Sequence, residues 1–164
     1  MKTLYVVRHA KSSWEYHELP DMDRPLKGRG IRDAHLMASW LQDLLSTAPV
    51  LYSSPATRTL HTAMIFARTL GIPLDEVRVA ESLYSASHLD IATFLRGIQG
   101  EPGSIMLFGH NPGMSEFITD CVPGFTENLP TGGVAVLQFE ISSWNDLRSE
   151  AELRYFDFPK NQKN

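Results

Sequence analysis

The chain has 164 residues, of which 43% are hydrophobic and 21% are charged, and its formal net charge at pH 7 is -4. A chain of this length and composition is expected to form one globular domain that needs neither disulfides nor metals for stability. The acidic balance argues against a general nucleic-acid-binding protein, although a local cluster of arginines can bind phosphate inside an acidic protein.

The single cysteine, Cys121, excludes an internal disulfide, which fits the reducing cytoplasm. Its apolar neighbours, Ile118 and Val122, predict a buried position on a helix, where a thiol is inert. The apolar run at residues 4–7 is too short for a signal peptide or a membrane span. We therefore expect a cytoplasmic protein with no membrane partner, and the sequence indicates no particular oligomeric state.

The predicted elements alternate between strands and helices, which indicates an α/β fold with a mostly parallel sheet. Short apolar runs predict strands at residues 3–7, 50–53, 77–79 and 104–108. Apolar residues at helical spacing predict helices at 31–45, 60–70, 89–98 and 114–121. A final hairpin is predicted from strands at 134–141 and 152–158, followed by a polar tail at 160–164 beyond a domain of residues 1–159.

The second helix has a recognisable start at Ser54 and Pro55. Serine is a good N-cap and proline is favoured in the first helical turn, so we expect Ser54 to cap this helix. Arg58 would then lie in the first turn, where a cation opposes the helix dipole. An arginine placed there indicates that an anion is bound at the helix N-terminus.

Three predicted strands are followed by cationic or imidazole side chains. Arg8 and His9 follow the first strand, Arg58 comes soon after the second, and His110 follows the strand at 104–108. The carboxyl ends of parallel strands meet at one edge of a sheet, so these four side chains are expected to surround one pocket. Each motif alone also fits polar residues at a surface, but two arginines with two histidines suit a tetrahedral phosphate dianion.

A metal site is the alternative explanation for clustered histidines. Two arginines in the same pocket would repel a divalent cation, and the sequence has no HxxxH or Cys-His spacing. We therefore expect no metal and no other cofactor. An imidazole in such a pocket can instead donate a hydrogen bond or attack phosphorus.

These residues resemble the signatures of the histidine phosphatase superfamily. The RHG-type signature corresponds to residues 4–10, with Ala10 in place of glycine, and the second and third signatures to 53–63 and 109–111. Residues 23–26 with Gly30 are similar to a segment of the small SixA-type phosphohistidine phosphatases. The resemblance extends over residues 4–113.

The resemblance implies a three-layer α/β/α fold of the phosphoglycerate mutase-like type, minimal and without a large cap. It also implies that His9 is the nucleophile and that Arg8, Arg58 and His110 bind the transferring phosphoryl group. The expected enzyme is a metal-independent phosphatase with a covalent phosphohistidine intermediate, acting on phosphohistidine in a protein. The alternatives are a small phosphorylated substrate of the same superfamily and a non-catalytic phosphate-binding module, against which the presence of His9 argues.

The proton donor for the leaving group is not marked by a motif. Glu81, which follows the third predicted strand, is the predicted general acid by position, and a solvated loop carboxylate is the alternative. Asp23 is the competing candidate, because the long loop at residues 14–25 can reach the site. Asp23 and Ser12 are also predicted to contact the substrate.

Overall fold

A computed structural model describes residues 1–148 and 150–163 of the protein. Its strands are β1 (Lys2–Arg8), β2 (Val50–Ser53), β3 (Arg78–Val79), β4 (Ser104–Gly109), β5 (Val134–Phe139) and β6 (Glu152–Asp157). They form one sheet in the order β3-β2-β4-β1-β5-β6. The first four of these in sheet order are parallel, whereas β5 is antiparallel to both β1 and β6. The mostly parallel sheet and the final hairpin are as predicted.

The helices are α1 (Gly28–Gln42), α2 (Thr57–Leu70), α3 (His88–Arg96), α4 (Gly113–Cys121) and α5 (Pro159–Gln162). Much of the predicted polar tail at 160–164 thus belongs to α5, and Lys163 lies 2.7 Å from the carboxylate of Asp33 in α1. Asn164 lies outside the described residues. Among the described residues, no helix has both the length and the apolar character that crossing a membrane requires.

Two apolar clusters cover the two faces of the sheet. Alternate residues of a strand point to opposite faces, so Val7 and Phe108 pack with α1 and α2 while Val6 and Leu107 pack with α3 and α4. Every residue of β4 is buried, as the unbroken apolar run predicts. The three-layer α/β/α arrangement is therefore confirmed.

Cys121 lies at the end of α4 and is buried in the core. Burial, with a smaller effect of the neighbouring Asp120 charge, raises the pKa of its thiol to about 12. The thiol is therefore protonated at physiological pH and is not a nucleophile.

The start of α2 differs from the prediction. The helix begins at Thr57, its N-cap is Ala56, and no side chain caps it. The hydroxyl oxygen of Ser54 accepts a hydrogen bond from the Ala56 amide at 3.1 Å and lies 2.8 Å from Nε2 of His110. The prediction that Ser54 caps the helix is wrong, because the helix begins later, at Thr57, and the Ser54 hydroxyl instead contacts the Ala56 amide and the ring of His110, which follows β4.

The strand register brings the ends of β1, β4 and β2 together. Arg8 is paired with Gly109 and Ser53 with Phe108, so the residues that follow emerge at the same edge of the sheet. The amide of His9 then donates to the Gly109 carbonyl at 3.1 Å. This edge is where the fold places the predicted site.

Candidate active site

A cavity of about 520 Å³ opens at the carboxyl edge of the sheet. Five of the residues that line it are predicted site residues: Arg8, His9, Ser12, Arg58 and His110. Other lining residues with charged, polar or aromatic side chains were not predicted, among them Trp14, Asp21, Arg24, Tyr84 and Glu116. The strand ends contribute most of the first set, and loops contribute most of the second.

His9 is 8% exposed, and its Nδ1 lies 2.8 Å from the carbonyl oxygen of Ala10. A carbonyl oxygen can only accept, so Nδ1 carries the ring proton and Nε2 keeps its lone pair. Burial, with a smaller contribution from the nearby cationic groups, lowers the pKa of His9 to about 3. The ring is therefore neutral at physiological pH, which is the state that a nucleophile requires.

His110 lies beside His9, with 5.3 Å between the two ring centroids. Burial and then the charge of Arg58 lower its pKa to about 4, so this ring is also neutral. Its Nδ1 accepts a long hydrogen bond of 3.4 Å from Arg58, and its Nε2 lies 2.8 Å from the Ser54 hydroxyl. Because arginine can only donate, the Nε2 proton is directed at Ser54, which fixes the orientation of the ring.

Arg8 and Arg58 are the two predicted cationic side chains of the site, and both line the cavity. Arg58 is 6% exposed, and Nε of each guanidinium is buried without a hydrogen-bond partner among the described residues. One Nη of Arg8 donates to the carbonyl of Leu129 at 3.1 Å, which holds the side chain in place. Both guanidinium groups thus keep N–H donors for an anion next to His9.

Asp21 fixes the position of Arg58. Arg58 donates to the main-chain oxygen of Asp21 at 2.6 Å and to its carboxylate at 3.0 Å. The same carboxylate accepts from the Tyr84 hydroxyl at 2.6 Å and from Arg24 at 3.0 Å. The Tyr84 hydrogen bond first, and then the two arginines, hold the pKa of Asp21 far below its usual range. Asp21 is therefore an anion at working pH and not a proton donor.

Comparisons with known proteins indicate which family the chain belongs to. Residues 4–83 match the histidine phosphatase superfamily (branch 1). An uncharacterized chloroplastic protein of Arabidopsis thaliana is 33% identical over 153 residues, which cover 88% of this chain and 70% of that protein. An uncharacterized protein of Mycobacterium tuberculosis is 32% identical over 86% of this chain and 91% of its own length. The chain belongs to the histidine phosphatase superfamily.

A solved structure of a SixA protein from Agrobacterium tumefaciens has the same fold. It is 26% identical in sequence, has a TM-score of 0.79, and covers 94% of this chain and 96% of its own. The phosphoglycerate mutase-like fold and the resemblance to small SixA-type members are therefore confirmed. Membership of the superfamily and this likeness support a phosphatase activity.

Arg24 and Trp14 stack on each other and form the side of this histidine phosphatase's cavity that the loop at residues 14–25 contributes. Arg24 is 7% exposed and donates to the Ser13 carbonyl at 3.2 Å and to the Ser12 hydroxyl at 2.6 Å. Its central guanidinium carbon lies 3.3 Å from the ring centroid of Trp14, which is 70% exposed. Ser12 therefore lines the cavity, but its hydroxyl is already an acceptor for Arg24.

Glu81 and Asp23 lie apart from the predicted group. Both are exposed, and neither is among the described residues that line the cavity. The lining carboxylates are instead Asp21 and Glu116, the latter 3.5 Å from Nδ1 of His88. The structure therefore brings five predicted residues together and leaves Glu81 and Asp23 outside, so their roles stay predictions.

Sequence reasoning missed Asp21, Arg24 and Tyr84 because their contacts connect distant parts of the chain. The loop that contains Asp21 was predicted to lie beside the site, so its carboxylates and arginine could all have been treated as candidates. No comparable signal pointed to Tyr84, which follows a short 3₁₀ turn at Glu81–Leu83.

Two glycines allow the walls of the cavity to come close. A Cβ on Gly30 in α1 would overlap the carbonyl oxygen of Lys11, just before Ser12. A Cβ on Gly113, at the start of α4, would overlap the carbonyl oxygen of Ala86. A side chain at either position would therefore displace backbone that lines the site.

Within residues 1–148 and 150–163, no group of three or more His, Cys, Asp or Glu side chains is arranged to hold a metal ion. Four cationic side chains line the cavity, Arg8, Lys11, Arg24 and Arg58, and those with a buried Nε that lacks a partner among the described residues are Arg8 and Arg58. These can stabilise negative charge on phosphoryl oxygens through fixed N–H donors.

Proposed function

We propose that this histidine phosphatase removes the phosphoryl group from phosphohistidine in a protein, through a covalent intermediate on His9. The observation that carries the proposal is the neutral His9 ring, with its Nδ1 proton bound by Ala10 and its Nε2 lone pair free. Arg8 and Arg58 line the same cavity, so a phosphoryl group bound by their guanidinium groups would lie next to that nitrogen, with the ring of His110 beside it.

The proposed reaction has two displacements at phosphorus. In the first, Nε2 of His9 forms a bond to phosphorus while the bond to the leaving nitrogen breaks, and that nitrogen keeps the electron pair. In the second, water attacks the phosphoryl group on His9, which releases inorganic phosphate and restores the neutral ring. Arg8 and Arg58 stabilise the charge on the equatorial oxygens in both steps.

The leaving group decides how much proton transfer the site must supply. An imidazole has a conjugate-acid pKa of about 6.5, so it leaves as a neutral ring when its other nitrogen carries a proton. An alkoxide needs a proton from a general acid, which contributes roughly 10²- to 10⁴-fold. The ionised Asp21 cannot supply that proton, which leaves Glu116 as the other carboxylate of the cavity, and phosphohistidine makes the smaller demand on such a donor.

The experiment compares kcat/KM for a phosphohistidine peptide and for glycerol phosphate, and traps the phosphoenzyme by an alkaline quench, because the P–N bond of phosphohistidine is hydrolysed in acid. We expect the peptide to be the better substrate and the trapped phosphate to be on His9. His9→Ala is expected to lower kcat by at least about a thousandfold, whereas the exposed His17→Ala control keeps it. A folded His9→Ala variant that retains most activity would contradict the mechanism.

The charge supplied by the two arginines predicts that no metal is needed. We expect turnover to survive EDTA and to be blocked by orthovanadate, which imitates five-coordinate phosphorus. Loss of activity on chelation that a divalent metal restores would contradict this part of the proposal. A higher kcat/KM for glycerol phosphate would favour a small-molecule phosphomonoesterase of the same superfamily.

A further inference from the structure

Trp14 is an exposed aromatic side chain on the wall of the catalytic cavity. It is 70% exposed, whereas the other two tryptophans, Trp40 and Trp144, are half-buried and buried. Exposed large aromatic surface beside a phosphate-binding site is a common means of recognising a planar ligand. The proposed reaction does not use this side chain.

The indole is held in place from one side. The guanidinium of Arg24 covers one ring face at 3.3 Å from the centroid, so the exposed surface is the other face and the ring edges. Arg24 cannot easily move, because it also donates to Ser12, Ser13 and Asp21. The main chain is fixed too, since the Ser13 amide donates to the Pro25 carbonyl at 2.8 Å. Trp14 is therefore a pre-organised flat surface rather than a freely rotating side chain.

The same contacts connect this surface to the phosphate-binding arginine. Asp21 accepts from Arg24 with one carboxylate oxygen and from Arg58 with the other, each at 3.0 Å. The spacing between the indole and the Arg58 guanidinium is thereby set by one carboxylate. A ligand with a phosphoryl group and an attached ring can use both at once, whereas free phosphate uses only Arg58.

We propose that Trp14 is a specificity-determining residue whose free face stacks on a planar leaving group while Arg8 and Arg58 hold the phosphoryl group. The inference rests on the proposed function and adds to it the shape of the leaving group. The imidazole of phosphohistidine is such a ring, and a phenyl ester presents the same planar π face. A saturated ring of the same size buries apolar area against the indole but gains less, because it lacks the additional attraction between two π faces.

The test measures dissociation constants by calorimetry in the His9→Ala background, where no ligand is turned over. The ligands are a phosphohistidine peptide, phenyl phosphate and cyclohexyl phosphate, the last matching phenyl in size without being planar. We expect Trp14→Ala to weaken binding of the first two about three- to tenfold, the range of one aromatic pair, and to weaken binding of cyclohexyl phosphate less. Trp14→Phe should restore most of the loss.

Tyr16→Ala is the matched control, because Tyr16 is another exposed aromatic in the same loop, 46% exposed, and does not line the cavity. It should leave all three constants unchanged. An equal loss for all three ligands in Trp14→Ala would overturn the inference, since it would indicate a disturbed phosphate site. A loss for the peptide alone would also overturn it, because contact with the polypeptide rather than the ring would then explain the effect.

Failure of the proposed function is distinguishable from failure of the stack. If the wild-type protein turns over neither peptide nor ester but the Trp14→Ala substitution still weakens binding of phenyl phosphate more than binding of cyclohexyl phosphate, the catalytic proposal is wrong and the stack stands. If turnover is as proposed and Trp14→Ala changes no constant, the stack is wrong and the function stands. If none of the ligands binds, the phosphate site itself is wrong and both proposals are overturned.

Discussion

Two regions form the wall of the active-site cavity, and the fold places them by different means. The sheet-edge group consists of Arg8, His9, Arg58 and His110, and the loop group consists of Trp14, Asp21, Arg24 and Tyr84. The histidines of the first group follow adjacent parallel strands whose register is fixed along their whole length. The second group comes from segments with little regular structure, and it depends on side-chain hydrogen bonds for its position.

The difference between the two groups indicates which residues carry out the reaction and which residues select the substrate. Loops tolerate sequence change without loss of the fold, whereas residues at buried strand ends do not move independently of the sheet. The sheet-edge group can therefore keep one reaction, while the loop group adjusts which leaving group is accepted. Asp21 connects the two groups, because its carboxylate contacts both Arg58 and Arg24.

Arg58→Ala should produce the largest effect of the variants considered below. Removing one fixed donor to a developing charge costs roughly 10²- to 10³-fold in kcat, and Arg58 also supports the orientation of His110 at 3.4 Å. The measurement is kcat and KM with the phosphohistidine peptide. Arg68→Ala is the matched control, because Arg68 lies in the last turn of the same helix. A loss smaller than about tenfold would mean that Arg8 alone supplies the charge.

The buried imidazoles predict a loss of stability in mild acid. Their folded-state pKa values of about 3 for His9 and about 4 for His110 lie below the ordinary value of 6.5. Below that value the unfolded chain binds more protons than the folded one, so the free energy of unfolding falls as the pH falls. When the pH is lowered from 7 to 5, the two rings together should reduce the free energy of unfolding by about 3–4 kcal/mol. Urea unfolding at both pH values measures this loss.

Removing one ring should remove about half of this pH dependence. His110→Gln is the direct test, and the exposed His17→Gln is the matched control that leaves the pH dependence unchanged. Burial also lowers the pKa of His61. This ring contributes to the pH dependence of stability in the same direction and to the same extent in both variants. The Asp21 carboxylate does not contribute in this window, because its lowered pKa affects stability only below the ordinary value near 3.8. An unchanged slope in His110→Gln would show that its ring is not held neutral.

Asp21→Asn tests the connection between the two groups. The amide loses the charge that holds Arg58, so we expect kcat/KM to fall by roughly tenfold for every substrate, within the range for a charged hydrogen bond. The matched control is Asp23→Asn, which belongs to the same 3₁₀ turn but does not line the cavity. In an Arg58→Ala background, the further cost of Asp21→Asn should be much smaller, because most of its effect on activity acts through Arg58. A gain in activity would mean that Asp21 competes with phosphate for Arg58.

The same two groups show what the sequence could predict. Unbroken apolar runs end at Arg8 and before His110, and parallel strands bring such ends together, so the sheet-edge group followed from local patterns. The conformation of residues 14–25 depends on Arg24 reaching Ser12, Ser13 and Asp21, and no local periodicity encodes these contacts. Ser54 is a similar case, because its role is set by His110 rather than by the helix it precedes.

Substitution of the carboxylates around the site is expected to have the smallest effects on activity with the phosphohistidine peptide. The chain position predicts a general acid at Glu81, whereas Glu116 is the carboxylate that lines the cavity and is not committed to an arginine. An imidazole leaving group needs little protonation, so we expect Glu81→Gln and Glu116→Gln each to stay within about threefold of the wild type on the peptide. With glycerol phosphate the leaving alkoxide needs a proton, and the loss should reach at least about tenfold in the variant that lacks the donor.

We expect that loss in Glu116→Gln, because a proton donor must lie within hydrogen-bond reach of the leaving oxygen and Glu81 is exposed outside the cavity. Glu116 and His88 lie 3.5 Å apart, so losing this contact could destabilise the protein. The thermal unfolding midpoint of each variant controls for such a loss of stability. A selective loss in Glu81→Gln would support the prediction from chain position and would require the turn at Glu81–Leu83 to move towards the site. Equal losses on both substrates in either variant would instead identify that carboxylate as a binding group, because only a proton donor distinguishes an alkoxide from an imidazole.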